Sequence, residues 1–433
     1  MSGHGRFRIK STGELQELAM SLGVDIPFSM DLDILLEPSV IEDFKVPNKI
    51  AVQPMEGFDS TPDGAPGELS RRRYMRYASG GSGIIWFEAT SVMHEGRSNP
   101  RQLLINNKTV VHFRDLVDAI RDEAKRNFGI SHNPFLVLQL THSGRFSKPE
   151  GKPLHKCYSP NPYLDPPGVE MKIFSDGELE LIRNNFIEAI DLAESAGFDS
   201  VDIKISHGYL LHEIMTAFSR DDSRFGGSFG NRLSFVKGIV NHPSRIIKSI
   251  RLNATDLIPY PFGFGMQESG SSEPDLTEPI QLIDELKKEV PLWNITAGIP
   301  YYNSFVNRPY DTGLKGSATP PEHPLEGVAR LIGLTGIIQK RFPGLPVVGS
   351  GYSWLRHFFP YVGAGVIREG KAGFMGLGRS SFAYPDAPRD LMEKGSLDRR
   401  KVCVCCSDCT QLMRNNSPTG CTKRDREFYS LKR

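Results

Sequence analysis

Eight short apolar runs, each bounded by glycine, proline or polar residues, alternate with longer amphipathic stretches and constrain this chain more than any other feature. They cover residues 49–55, 83–89, 135–141, 200–206, 261–267, 292–298, 346–351 and 372–378. A strand buried on both faces reads as such a run, because both of its side-chain rows meet apolar neighbours. The stretches between them carry helical spacing. Over 176–196, Leu179, Ile182, Phe186, Ile190 and Ala193 recur with that period, and Ser175 stands as a cap with Glu178 three residues on. Residues 110–127, 276–290 and 325–341 read the same way. Eight strand–helix repeats predict an α/β fold, a (β/α)8 TIM barrel. A doubly wound sheet is the alternative, weakened because no GxGxxG follows a strand.

Three parts exceed a minimal barrel. Residues 1–45 form an N-terminal extension with a helix expected over 11–22, and 46–394 form the barrel. Residues 395–433 form a cysteine-rich C-terminal segment. A long loop over 299–324, rich in proline and tyrosine, follows the sixth run. The 52 basic and 51 acidic residues nearly balance, so nothing marks a nucleic-acid partner. No stretch approaches the roughly 18 apolar residues of a membrane span. The N-terminus has no apolar core of a secretory signal, so a cytoplasmic location is expected.

Chemistry in a β/α barrel sits at the C-terminal ends of the strands. Those ends carry Pro54, Met55 and Glu56, then Glu88 and Ala89, then Gln139 and His142. Lys204 and the triplet His207-Gly208-Tyr209 follow the fourth run. Ser350 and Gly351 end the seventh, and Gly378 and Arg379 the eighth. Glycines and an arginine there suit a phosphate, although tight βα turns use the same glycines. His207 and Tyr209, two apart, can face one side, where they would polarise a carbonyl and donate a proton; a structural histidine and a core tyrosine are the plainer reading. Cys403, Cys406, Cys409 and Cys421, with Cys405 spare, suit an iron–sulfur cluster or a structural zinc. Cys157 reads as a plain thiol, His94, His112 and His242 as surface residues, and Arg71–Arg73 as a solvated helix face.

These segments together resemble the old yellow enzyme family, most closely its branch with bacterial 2,4-dienoyl-CoA reductase and trimethylamine dehydrogenase. NKIAVQPM, LQLTHSGR, GFDSVDIKISHGYLLHEIM with SRFGGSFGNRLSF, VVGSG, MGLGR and the cysteine run carry the likeness in the family's order, from about Val46 to about Asp425. The resemblance implies FMN lined by Pro54, Met55, Glu56, Ala89 and Gln139. Its phosphate would rest on Ser350, Gly351, Gly378 and Arg379. Tyr209 would donate the proton, His207 would grip the substrate carbonyl, and Cys403, Cys406, Cys409 and Cys421 would ligate a 4Fe-4S cluster.

Departures from the family pattern are equally specific. Lys204 replaces the usual histidine of the substrate pair, as a point-charge donor to a carbonyl or carboxylate, or to a flavin oxygen. The fifth-strand arginine that faces the flavin aligns with Gly265. Tyr302, beside Tyr301, takes the place of a second proton donor. The sequence stops twelve residues after Cys421, short of that branch's second flavin- and nicotinamide-binding region. NAD(P)H or an electron-transfer protein is the expected reductant, an unsaturated carbonyl compound the expected substrate, and a homo-oligomer is compatible. The rival readings are an amine dehydrogenase with an aromatic bowl of Tyr301, Tyr302 and Trp293, and a non-catalytic barrel stapled by zinc.

Overall fold

A computed structural model of the chain describes residues 7–271, 273–311, 313–314 and 319–431. Residues 312 and 315–318 of the loop expected over 299–324, together with the first six and last two residues of the expected terminal segments, lie outside the described residues. Eight parallel strands close into a barrel: β1 (Ile50–Val52), β2 (Ile84–Ser91), β3 (Phe135–Thr141), β4 (Ser200–Ile203), β5 (Ile247–Asn253), β6 (Leu292–Thr296), β7 (Val347–Gly349) and β8 (Phe374–Leu377). β8 pairs with β1 through Met375–Ile50, Gly376–Ala51 and Leu377–Val52, which closes the ring. The expected helices form as Thr12–Ser21, Val110–Phe128, Asp176–Ser195, Thr277–Leu286 and Pro324–Arg341. Ser175 and Glu178 make the reciprocal capping box.

The fifth strand is a correction. Residues 261–267 form a turn, in which Gly265 has a φ of +66° and a Cβ at Gly263 would meet the Ile258 carbonyl. The strand is Ile247–Asn253, IKSIRLN, whose alternate residues are polar because one row faces the polar upper half of the barrel. Apolar content favoured the phenylalanine- and glycine-rich turn over this half-polar strand.

The N-terminal extension is part of the core. An antiparallel hairpin, Ser39–Ile41 with Phe44–Val46, straddles the boundary expected at residue 45. Its fully buried Ile41 and Val46 join Ala51, Trp86, Phe135, Val137, Leu292, Val348 and Phe374, which come from six barrel strands. The hairpin therefore stoppers the end of the barrel opposite the site. At the other terminus, Asp425 accepts two hydrogen bonds from Arg72 (2.7 and 2.8 Å) and one from Arg76 (2.9 Å). The Arg72 guanidinium also lies 3.6 Å over the Phe428 ring. Of the basic run expected to be solvated, Arg71 is exposed, Arg72 joins Arg76 in clamping the C-terminal segment, and Arg73 is buried. No helix among the described residues is long and apolar enough to cross a membrane.

Truncating Ile41 to alanine empties part of that stopper. Urea unfolding is expected to show a loss of about 2–5 kcal/mol. An unchanged midpoint would make the extension an appendage.

Candidate functional site

Pro54, Met55, Glu56, Ala89, Gln139, Lys204, His207 and Tyr209, drawn from four strand ends, line one cavity of about 190 Å³. Arg251, Tyr301, Asn307 and Arg308 complete the rim, and Thr410, Met413, Arg414 and Asn416 come from the cysteine segment. Of the residues expected to serve FMN or proton transfer, Tyr302, Ser350, Gly351, Gly378 and Arg379 lie outside this wall. Tyr302 is 46% exposed and packs edge-on to Tyr163, 5.8 Å between centroids. Its neighbour Tyr301 lines the wall instead, stacked on Phe146 at 3.8 Å. Ser350 donates to the Ile295 carbonyl, Gly351 turns with a φ of 99°, and Gly378 precedes the short helix Arg379–Ala383. Arg379 donates to the Pro309 carbonyl at 2.6 Å and leaves Nη1 without a partner.

The turn after β4 is held under strain. His207 and Gly208 have φ of 65° and 75°, a left-handed pair that places His207 and Tyr209 over the barrel mouth. The Gly208 N–H donates to His212 Nδ1 at 2.9 Å, and His212 Nε2 lies 3.2 Å from Asp256. Asp256 also accepts from Asn253 Nδ2 at 2.7 Å, and Asn253 Oδ1 receives the His207 N–H. Asn307 donates to His207 Nε2 at 2.8 Å, so the imidazole proton sits on Nδ1 in this assignment. Burial first, then Arg251 and Lys204, hold the His207 pKa well below its ordinary value. It is a neutral donor.

Tyr209 Oη donates to Glu56 Oε1 at 2.9 Å, and Ser98 donates to Glu56 Oε2 at 3.1 Å. Burial and then Glu56 raise the Tyr209 pKa well above its ordinary value, so the phenol is protonated. Behind Glu56, the Gly57 N–H donates to Glu88 Oε2 at 2.6 Å. Arg73 bridges Glu88 and Asp59, and all three are buried. This triad pins the loop that presents Met55 and Glu56.

Lys204 is 5% exposed and lies 3.6 Å over the Tyr209 ring. Burial lowers its pKa to about 7. Arg251 lies on the fifth strand and in the cavity wall, whereas Gly265 lies in the turn beyond it. The buried Arg251 Nε has no partner. Asp202 anchors this floor, accepting from Gln139 Nε2, Trp86 Nε1 (2.9 Å) and the Arg251 N–H. A polar β5 residue adjoining an inward-facing Asp202 was the available signal for Arg251. Nothing in the sequence pointed to Asn307 or Arg308.

Cys403, Cys405, Cys406, Cys409 and Cys421 line a second, small cavity with Arg379. Cys405 Sγ donates to the Ser353 carbonyl at 3.4 Å. Among the described residues, no three cysteine, histidine, aspartate or glutamate side chains surround a point as a single ion needs. Cys157 is buried, and its pKa is raised by burial to about 12, as befits an inert thiol. Trp293 is fully buried with Nε1 on the Val290 carbonyl, away from the cavity.

A closed (β/α)8 barrel with a titratable cavity at its C-terminal rim defines an enzyme class in which the loops carry the chemistry. The sequence matches the NADH:flavin oxidoreductase / NADH oxidase family over residues 34–301, and the chain belongs to that family. FMN is the cofactor this membership implies. An NADH oxidase of Thermoanaerobacter brockii is 27% identical over 368 residues, 83% of this chain and 50% of that protein. The chain thus spans about half of that relative's length. A 2-naphthoyl-CoA reductase in complex with 2-naphthoyl-CoA superposes with a TM-score of 0.70 at 19% identity, covering 92% of this chain and 57% of the other. A histamine dehydrogenase from Rhizobium sp. 4-9 gives 0.70 at 22%, covering 90% and 52%. Both likenesses are of fold.

Lys204 makes the site's charge visible in stability. Folded, it releases its proton near pH 7; unfolded, near 10.5. Between those values the unfolded chain binds one more proton, so stability rises with pH and is lost as pH falls toward 7. Lys204→Met is expected to flatten this slope by up to about 1.4 kcal/mol per pH unit in denaturant titrations from pH 7 to 10. An equal slope in both proteins would place the charge in solvent.

Proposed function

We propose that the chain is an FMN-dependent ene-reductase acting on the C=C bond of an α,β-unsaturated carbonyl compound, with NAD(P)H or an electron-transfer protein as reductant. The observation that carries this reading is one cavity in which a neutral histidine donor, a lysine and a proton-retaining tyrosine face the residues a flavin would need. The fit to FMN rests on the orphaned Nε of Arg251 and the amide of Gln139, which suit the electron-rich pyrimidine edge. Ser350, Gly351, Gly378 and Arg379, with its free Nη1, would hold the phosphate. Bound there, FMN supplies hydride chemistry. His207 Nδ1 and Lys204 hold the carbonyl oxygen and stabilise the negative charge that gathers on it as the β-carbon accepts hydride. Tyr209 gives its proton to the α-carbon, oriented by Glu56. Tyr301, at the mouth, shields the cavity from water.

Cys403, Cys406, Cys409 and Cys421 would hold a 4Fe-4S cluster, supported by their shared cavity and by Arg379 and Arg308 beside it, whose charges offset that of a thiolate-ligated cluster. The amine-dehydrogenase reading draws no support from the wall: Trp293 and Tyr302 lie outside it, and cations line it. A zinc-stapled binding module leaves the strained His207 turn and the Lys204 charge without a purpose.

Anaerobic purification should yield flavin bands with a broad iron–sulfur shoulder, and FMN, iron and sulfide by assay. Bleaching by NADH would make the chain self-sufficient; bleaching by dithionite alone would point to a protein donor. Tyr209→Phe is expected to lower enone turnover about 10²- to 10⁴-fold at wild-type FMN content. A colourless protein that takes up no FMN and contains zinc would overturn the reading.

A further inference from the structure

Cys405 is the thiol that the cluster reading leaves over. Four cysteines ligate such a cluster, and nothing proposed above uses a fifth. Cys405 is nonetheless buried, 1% exposed, in the cavity that Cys403, Cys406, Cys409 and Cys421 also line. Its backbone N–H donates to Cys403 Sγ at 3.4 Å, and the two sulfurs lie 4.0 Å apart. Its own thiol donates to the Ser353 carbonyl at 3.4 Å, which fixes the direction of the sulfur. The backbone bends sharply to bring this about. Cys405 and Ser407 have φ of 50° and 60°, two left-handed residues that are not glycine within three positions. Such conformations persist only where surrounding contacts hold them. Cys406, Cys409 and Cys421 are half-buried, so the cavity reaches solvent, and its volume of about 20 Å³ has room for one water-sized molecule.

We propose that Cys403 and Cys405 are a reversible oxidation site: in the chain without its cluster, hydrogen peroxide or another hydroperoxide joins them in a disulfide, and a dithiol opens it again. The pairing stands on the sulfur geometry alone; the cluster reading enters only in what Cys403 is for. Closing the gap from 4.0 Å to the roughly 2.05 Å of a disulfide takes about 2 Å of movement, within the reach of two side-chain rotations. One sulfur first attacks the peroxide O–O bond; it becomes a sulfenic acid, and the other peroxide oxygen leaves as water. The second sulfur then attacks the sulfenic sulfur; the S–S bond forms, the S–O bond breaks and a second water leaves. The two thiol protons end in those waters, and the pair has passed two electrons to the peroxide. A sulfenic acid with no thiol at hand is oxidised on to a sulfinic acid, which a dithiol does not reverse. Cys405 is placed to intercept that step at Cys403, so the ligand can be recovered. Because the Cys403 sulfur cannot bond iron and Cys405 at once, cluster and disulfide exclude each other.

The test exposes the anaerobically purified full chain to hydrogen peroxide until its iron is released, then maps the thiols by alkylation and peptide fragmentation. The expected product is a peptide short of two hydrogens, with the missing pair assigned to Cys403 and Cys405. Dithiothreitol should return both thiols, and added iron and sulfide should then rebuild the cluster. Cys405→Ala and Cys405→Ser should carry as much iron as the unaltered chain when isolated. After the same treatment they should show sulfinic acid at Cys403 and lose most of the rebuilding. Serine keeps a donor for the Ser353 carbonyl, so a defect shared by both variants is not one of lost hydrogen bonding. A disulfide between any other pair, no disulfide at all, or equal rebuilding with and without Cys405 would overturn the proposal. So would Cys405 variants isolated without iron, which would make Cys405 a ligand. The pairing is read on the unaltered chain, so it does not depend on how the variants fold. A chain isolated without iron is oxidised directly and mapped in the same way. The pairing can therefore stand or fall apart from the cluster and the ene-reductase reading.

Discussion

Closure of the sheet between β8 and β1 gathers eight C-terminal strand ends into one rim. Glu56 and Arg414, far apart in the chain, share a cavity for that reason. Closure also creates an interior that must be filled. Its lower half is filled by the hairpin of the N-terminal extension and by Trp86, Phe135 and Val137. Its upper half is polar, where Gln53, Asn294, Gln139 and Asp202 satisfy one another or nearby backbone. Buried polar groups nearly always find such partners. The Arg251 Nε and the Asn294 Oδ1 are the atoms of this floor left without a partner among the described residues.

Charge held out of water sets the chemistry above that floor. His207 is kept neutral and Tyr209 protonated, and Lys204 is brought close to neutrality, with burial the largest cause in each case. These groups hold their geometry because a strained turn is tied down by His212, Asn253 and Asp256, and because Arg73, Asp59 and Glu88 fix the opposing loop. Neither support lines the cavity. Both decide where the donors point.

The cysteine segment has two structural roles. It brings five thiols to one small cavity beside Arg379. Its helix, Asp408–Arg414, also supplies Thr410, Met413 and Arg414 to the wall of the main cavity. Asp425, clamped by Arg72 and Arg76, holds the end of the segment against the barrel. The thiols and the mouth of the main cavity are thereby carried on one segment.

Local pattern was enough for the barrel and for most of the strand-end residues. Hydrophobic period and capping residues report backbone choices made within one element, as Ser175 and Glu178 show. β5 escaped because its inward row is polar, a property of the barrel's interior and not of the strand. Arg71–Arg73 read as a solvated face because their partners, Asp59, Glu88 and Asp425, come from other elements. The exchange of Tyr301 for Tyr302 turned on side-chain direction in a loop with no period to read. The sequence by itself determined the repeat, the rim and the residue types available at it. Tertiary structure alone decided which cations stand unpaired in a shared cavity, because pairing and burial belong to surfaces that meet only when the sheet closes.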